Sequence, residues 1–202
     1  VLHEDAIFPV RFAGIPINIR NTNAPEDPGT IILSHTDAYD PKNIITGIAG
    51  KKGFCVITIE KAMMNAEKGF GRKVLEAIEK ENISFEHLPS GIDTMSVVLN
   101  RAEIAESRER IINRICASVE PDAISVEEGL ALIAVVGRGM VKSKGTAVRV
   151  FKAVAAAGIN IRMIDQGSSE LNIIIGVDEN DFEAAMRAIY AEFVSDRGAN
   201  NG

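Results

Sequence analysis

The sequence predicts an α+β fold in which one small module is used twice. Three observations carry that reading. Residues 54–99 recur without a gap as residues 130–175, an offset of 76. At this offset Ile57 meets Ile133, Gly69 meets Gly145, Val74 meets Val150, Ile83 meets Ile159 and Leu99 meets Ile175. Within each copy, β-rich apolar runs alternate with helical patterns in the order β-α-β-β-α-β. The chain has 202 residues, 46% of them hydrophobic, enough to bury a core under both copies.

The first copy opens with a β-branched run, 54–59, followed by a loop at 62–68. A helix follows over 70–81, with Phe70, Val74, Leu75 and Ile78 on one face and Arg72, Lys73, Glu76 and Glu79 on the other. Asn82 suits its end, because Asn tolerates the left-handed cap conformation. Strands are predicted at 83–88 and 94–99, joined by the turn Pro89-Ser90-Gly91-Ile92-Asp93. A helix over 103–119, offering Ile104, Ile111, Ile112, Ile115 and Cys116 to the core, leads to a short fourth strand at 123–126. The order is the ferredoxin-like split βαβ plan.

The second copy repeats it: strand 130–136, loop 138–144, helix 145–157 capped by Gly158, strands 160–164 and 171–177, and helix 181–193. No fourth strand follows. A spare strand, 44–48, precedes the first copy, and we expect it to complete the second module, so that the first is inserted into it. The resulting division is 51–127 for the first module and 44–50 plus 128–194 for the second. Residues 34–43 are a linker and 195–202 a disordered tail. Residues 1–33 stand outside the repeat; they read as the last helix and strands of a domain lying upstream, the alternative being an N-terminal decoration of the repeat.

Composition narrows the function. Net charge is −6 and Trp is absent, which disfavours binding to a phosphate backbone or to stacked single-stranded bases. An RNA-binding version of this fold needs exposed aromatics on its central strands, and 54–59 and 130–136 are mostly aliphatic. No apolar run reaches the roughly 18 residues of a membrane span. His3, His35 and His87 show no metal-ligand spacing. Cys55 and Cys116, the two cysteines, read as small buried hydrophobes in a reducing compartment. No catalytic constellation emerges, and no cofactor is expected in this region.

The copies differ in charge around the strand-to-helix turn. Glu67, Glu86 and Asp93 of the first meet Ser143, Arg162 and Ser169 of the second. Backbone N–H groups near Gly69 suit a carboxylate. If the three acids converge beside them, the first module offers a pocket for a basic amino acid.

Phe85-Glu86-His87-Leu88-Pro89-Ser90-Gly91-Ile92-Asp93-Thr94-Met95-Ser96 resembles the first ACT module of monofunctional aspartokinases. Asn160-Ile161-Arg162-Met163-Ile164-Asp165-Gln166-Gly167-Ser168-Ser169-Glu170 resembles the second. Ile15-Pro16-Ile17-Asn18-Ile19-Arg20-Asn21-Thr22 and Pro28-Gly29-Thr30 are similar to the end of that family's amino acid kinase domain. The resemblance implies two ferredoxin-like ACT modules packed together behind a kinase domain remnant, as the regulatory part of a lysine-sensitive enzyme. That parent, a cytoplasmic kinase using ATP and Mg, would phosphorylate L-aspartate; the fragment alone would be inactive. The family's Lys-Phe-Gly-Gly-Ser signature is absent from the sequence.

By resemblance the effector residues are Met64, Glu67, Gly69, Phe70, Ser84, Phe85, Glu86, Ser90, Ile92 and Asp93. Glu86 would face the effector's ammonium group, with lysine or threonine as effector and a homodimer formed through the ACT modules. A parent fused to homoserine dehydrogenase, and a free-standing ACT regulator attached to no kinase, are the alternatives.

Overall fold

The computed structural model describes residues 4–33 and 44–199. The chain divides into two compact units, Val1–Pro41 and Lys42–Gly202. In the first, helix α1 (Glu4–Phe12) precedes an antiparallel pair, β1 (Ile17–Ile19) and β2 (Thr30–Ile32), with Asn18 opposite Ile31. The Arg20 guanidinium donates to the Asp27 carbonyl and closes the connecting turn.

In the second unit the elements run β3 (Gly47–Glu60), α2 (Phe70–Glu79), β4 (Phe85–His87), β5 (Thr94–Asn100), α3 (Arg101–Ile104), α4 (Arg108–Val119), β6 (Ala123–Val136), α5 (Thr146–Ala156), β7 (Met163–Asp165), β8 (Asn172–Asp178) and α6 (Phe182–Ala199). Six strands form one antiparallel sheet in the order β4-β5-β3-β6-β8-β7. The mixed α+β architecture is that of two split βαβ modules.

The modules are joined through two long strands. Residues 54–60 of β3 pair with β5 on one side and with 123–130 of β6 on the other. Residues 47–51 of β3 pair with 132–136 of β6, whose second half also pairs with β8. Each long strand therefore serves both halves of the sheet. The backbone N–H of Thr46 adds a bond to the Val136 carbonyl (2.7 Å).

The separate runs expected at 44–48 and 54–59 are in fact one strand, as are those at 123–126 and 130–136. The joints are Gly53 (φ +92°) and Gly129 (φ +72°), 76 residues apart. Each adopts a backbone conformation open chiefly to glycine, and pairing breaks register there, as in a bulge. Strand β4 is shorter than 83–88 because its pairing with β5 slips between Phe85 and His87.

The helix expected over 103–119 is two helices. Asn100 caps the first turn, its side chain accepting from the Ala102 N–H (3.0 Å), and the chain restarts at Ser107, whose N–H turns back to the Ile104 carbonyl. Ile104, Ile111 and Ile115 are buried as expected, whereas Ile112 and Cys116 are only half-buried. Helix α6 reaches Ala199, five residues into the stretch expected to be a disordered tail. The 34–43 linker, His3 and His35 lie outside the described residues.

Two equivalent cores lie under the helices. One gathers Ile57, Ile59, Val74, Ile78, Val97 and Leu99. The other gathers Ile133, Val135, Val150, Val154, Ile173 and Ile175, the same positions shifted by 76. A third, smaller cluster of Phe54, Val98, Leu130 and Leu132 occupies the opposite face of the sheet. There the sheet curls until its outer strands approach, with His87 Nδ1 of β4 3.2 Å from Asp165 Oδ2 of β7.

Candidate functional site

The loop between β3 and α2 and the turn between β4 and β5 lie side by side. Lys61 N–H donates to the Asp93 carbonyl (2.9 Å), Asn65 N–H to the Ile92 carbonyl (3.2 Å), and Met63 N–H to the Asp93 carboxylate (2.8 Å). Met63 is held at φ +60°, an unusual conformation for a side chain of its size. Asp93 therefore serves as an anchor that fixes the loop. Ala62 N–H is held likewise by Asp122 Oδ2 (2.7 Å).

Below the loop, Met64 and Phe70 are buried in the first core, so they shape the loop from beneath. Gly69, at φ +81°, turns the chain into α2, and its counterpart Gly145 does the same for α5 at φ +86°. Both leave backbone donors at a helix N-terminus.

Glu67 is not a free anion. Its two oxygens take Lys61 and Lys73, each at 2.7 Å. Those two lysine hydrogen bonds hold its carboxyl below the ordinary carboxylate range. The Lys61 ammonium also donates to the Val119 carbonyl and lies 6.0 Å from the centre of the Phe70 ring.

The expected convergence of Glu67, Glu86 and Asp93 is corrected accordingly. Glu67 and Asp93 flank one loop but are already engaged. Glu86 lies on β4, exposed, with no hydrogen bond or ion pair among the described residues. Around it Ser84 and Phe85 are exposed too, Phe85 by 46%. Ser90 bonds the Leu88 carbonyl (3.3 Å), and Ile92 projects outward, 69% exposed. Ser84 and Phe85 also line a groove of about 520 Å³ with Leu75, Ile78, Glu79 and Asn82 at the end of α2.

The sequence reading missed Lys61 and Lys73. Lys73 falls on the water-facing side of α2 in the helical pattern, and Lys61 stands outside the periodic elements. Only the folded loop brings both ammonium groups to one carboxylate.

Comparison with known proteins places the chain. A family model described as an ACT domain matches residues 133–193. Aspartokinase 3 of Bacillus subtilis is 43% identical over 96% of this chain and 42% of its own length. The crystal structure of Clostridium acetobutylicum aspartate kinase, an allosteric enzyme, superposes with a TM-score of 0.88. It is 52% identical over 96% of this chain and 45% of that one. A crystal structure of aspartokinase α and β subunits superposes at 0.65, with 26% identity over 74% of this chain and 98% of that one. The chain thus spans less than half the length of the first two. Matched along nearly its whole length at this level of identity, and folded as tandem ACT modules, it belongs with the aspartokinases as their regulatory region.

Proposed function

We propose that this region is the amino-acid-sensing part of an aspartate kinase, which transfers a phosphoryl group from ATP, with Mg, to the side-chain carboxylate of L-aspartate. The parent is a monofunctional cytoplasmic enzyme, and the region alone has no kinase activity, because the aspartate and nucleotide contacts belong to the upstream kinase domain. Lysine or threonine is the effector, in feedback control of the pathway those amino acids belong to.

The observation that carries this reading is Glu86: an unengaged carboxylate on the outermost strand of the sheet. It stands in a fold matched over 96% of its length by an aspartate kinase. An outer strand presents unpaired backbone groups, and a second copy is the natural partner for it. In the resulting seam, Met64, Gly69 and Phe70 shape the loop, Ser84 and Phe85 line the strand, and Ser90, Ile92 and Asp93 border the turn. Glu67 contributes a carboxylate already balanced by two lysines, so discrimination of a cationic effector falls to Glu86. Inhibition requires the effector to bind the inactive arrangement more tightly than the active one; equal affinity for both shifts nothing.

The test is a thermal-shift screen of lysine, threonine and methionine on the chain, since a ligand bound to the native form alone raises apparent stability. A shift with lysine or threonine, reduced about tenfold in apparent affinity by Glu86→Ala, is expected for a charge-assisted contact. No shift with any of them, or a shift that Glu86→Ala leaves untouched, removes the effector from this place.

A further inference from the structure

Away from the helices, the curled sheet encloses a crevice of about 730 Å³. Its floor is the face of β3, β5 and β6 opposite the first core, because Val56, Thr58, Ser96 and Val98 alternate with the buried Cys55, Ile57, Val97 and Leu99. Its roof is the segment 160–164 of the second module. The His87–Asp165 contact ties the two outer strands together beside Pro89 and Ile164, which also line it. The volume is that of a small-molecule pocket, and polar groups of both modules face it.

We propose that this crevice is a second ligand site, distinct from the loop at Glu67 and the edge at Glu86, and that it takes a small zwitterionic α-amino acid. Arg162 carries the argument. Its side chain is 22% exposed, and Nη1 is 3.3 Å from the carbonyls of both Glu128 and Gly129, which fix the guanidinium in place. Nη2 meets the Glu127 carboxylate at 2.7 Å, but Glu127 is 63% exposed and free to turn toward water at little cost. A ligand carboxylate takes the place of Glu127 on Arg162, and the ligand ammonium takes the carboxylate so released. An α-amino acid supplies both charges a single carbon apart and leaves neither protein group unpaired. A plain carboxylate or a plain amine satisfies only one.

The rest of the lining fits such a ligand. The hydroxyls of Thr58 and Ser96, cross-strand partners, face each other at a long 3.4 Å and have hydrogen-bonding capacity to spare. Val56, Met163 and Ile164, none of them fully buried, give an apolar surface for a short aliphatic side chain, with the buried Val98 and Leu130 directly beneath. The corresponding face of the first module holds Glu86 where Arg162 stands in the second, so the repeat does not supply the same pair twice.

The proposal does not depend on the effector reading, and its test separates the two. Methyl-labelled chain is titrated with L-valine, with isovalerate as the carboxylate alone and with isobutylamine as the ammonium alone. L-valine is expected to shift the Val56, Val98 and Leu130 methyl signals saturably, with the two fragments at least about tenfold weaker. Arg162→Gln and Glu127→Gln should each weaken L-valine about tenfold, and Glu86→Ala should leave it unchanged. If Arg162→Gln fails to fold, Glu127→Gln at its exposed position decides. The proposal is overturned if no saturable shift occurs, if isovalerate matches L-valine, if Glu127→Gln has no effect, or if Glu86→Ala abolishes the shift.

Discussion

Glu81 shows how much a single side chain ties together. Its side chain is 9% exposed and takes two arginines of α4, Arg110 at 2.8 Å and Arg114 at 3.2 Å, so the end of α2 is pinned to the neighbouring helix. The Arg110 hydrogen bond, ahead of the charges of Arg110 and Arg114, holds the Glu81 carboxyl below the ordinary carboxylate range. A group depressed in this way stabilises the fold above its unfolded value, about 4.3 for Glu, and loses that contribution as the pH falls through its folded value. Glu67, Glu76 and Glu183 are lowered in the same direction by lysine hydrogen bonds. Urea denaturation between pH 7 and pH 3 should therefore show stability falling with acid, and Glu81→Gln should make that fall shallower. An unchanged slope in the variant would mean that the arginine contacts contribute nothing in solution. None of this was visible in the sequence pattern: Glu81 sits at the helix end, 29 and 33 residues from its partners.

At the scale of elements, the long strands turn on their glycine joints and on Glu179. The Glu179 carboxylate accepts from the Gly53 N–H (2.7 Å), while its own N–H donates to the Gly129 carbonyl (2.9 Å). One residue at the end of β8 thus satisfies backbone groups at both bulges, and Arg101 approaches its other oxygen at 3.6 Å. Glu179→Ala leaves the Gly53 N–H without its acceptor and should destabilise the chain by about 1–2 kcal/mol. Gly129→Ala forces a side chain into a left-handed backbone and should cost about 1 kcal/mol, although nothing crowds the position. Both values are read from chemical denaturation midpoints. Two glycines at the repeat offset were legible as letters. Their role as joints was not, because a bulge is defined by the partner strand and leaves no periodic mark on its own.

The whole second unit is expected to behave as one cooperative body despite its internal duplication. Each long strand runs through both modules, so the two halves of the sheet share a continuous backbone across the Gly53 and Gly129 joints and are expected to lose their pairing together. Ile57 and Ile133, equivalent under the repeat, are both fully buried, one in each core. Replacing either by alanine should cost about 2–5 kcal/mol and lower the same single unfolding transition, followed by helix signal and by tertiary signal together. Two separated transitions, each answering to one substitution, would show that the modules unfold independently.

Hydrophobic periodicity and the 76-residue offset determined the element types, the duplicated cores and the module plan, because burial under a helix or on one face of a strand imposes a short local period that a sequence records directly. Tertiary structure alone decided the merging of four expected runs into two strands. It also decided the neutralisation of Glu67, the isolation of Glu86 and the pairing of Arg162 with Glu127. Each of these depends on groups from separate segments meeting in space, and charge pairing at a distance obeys no repeat along the chain.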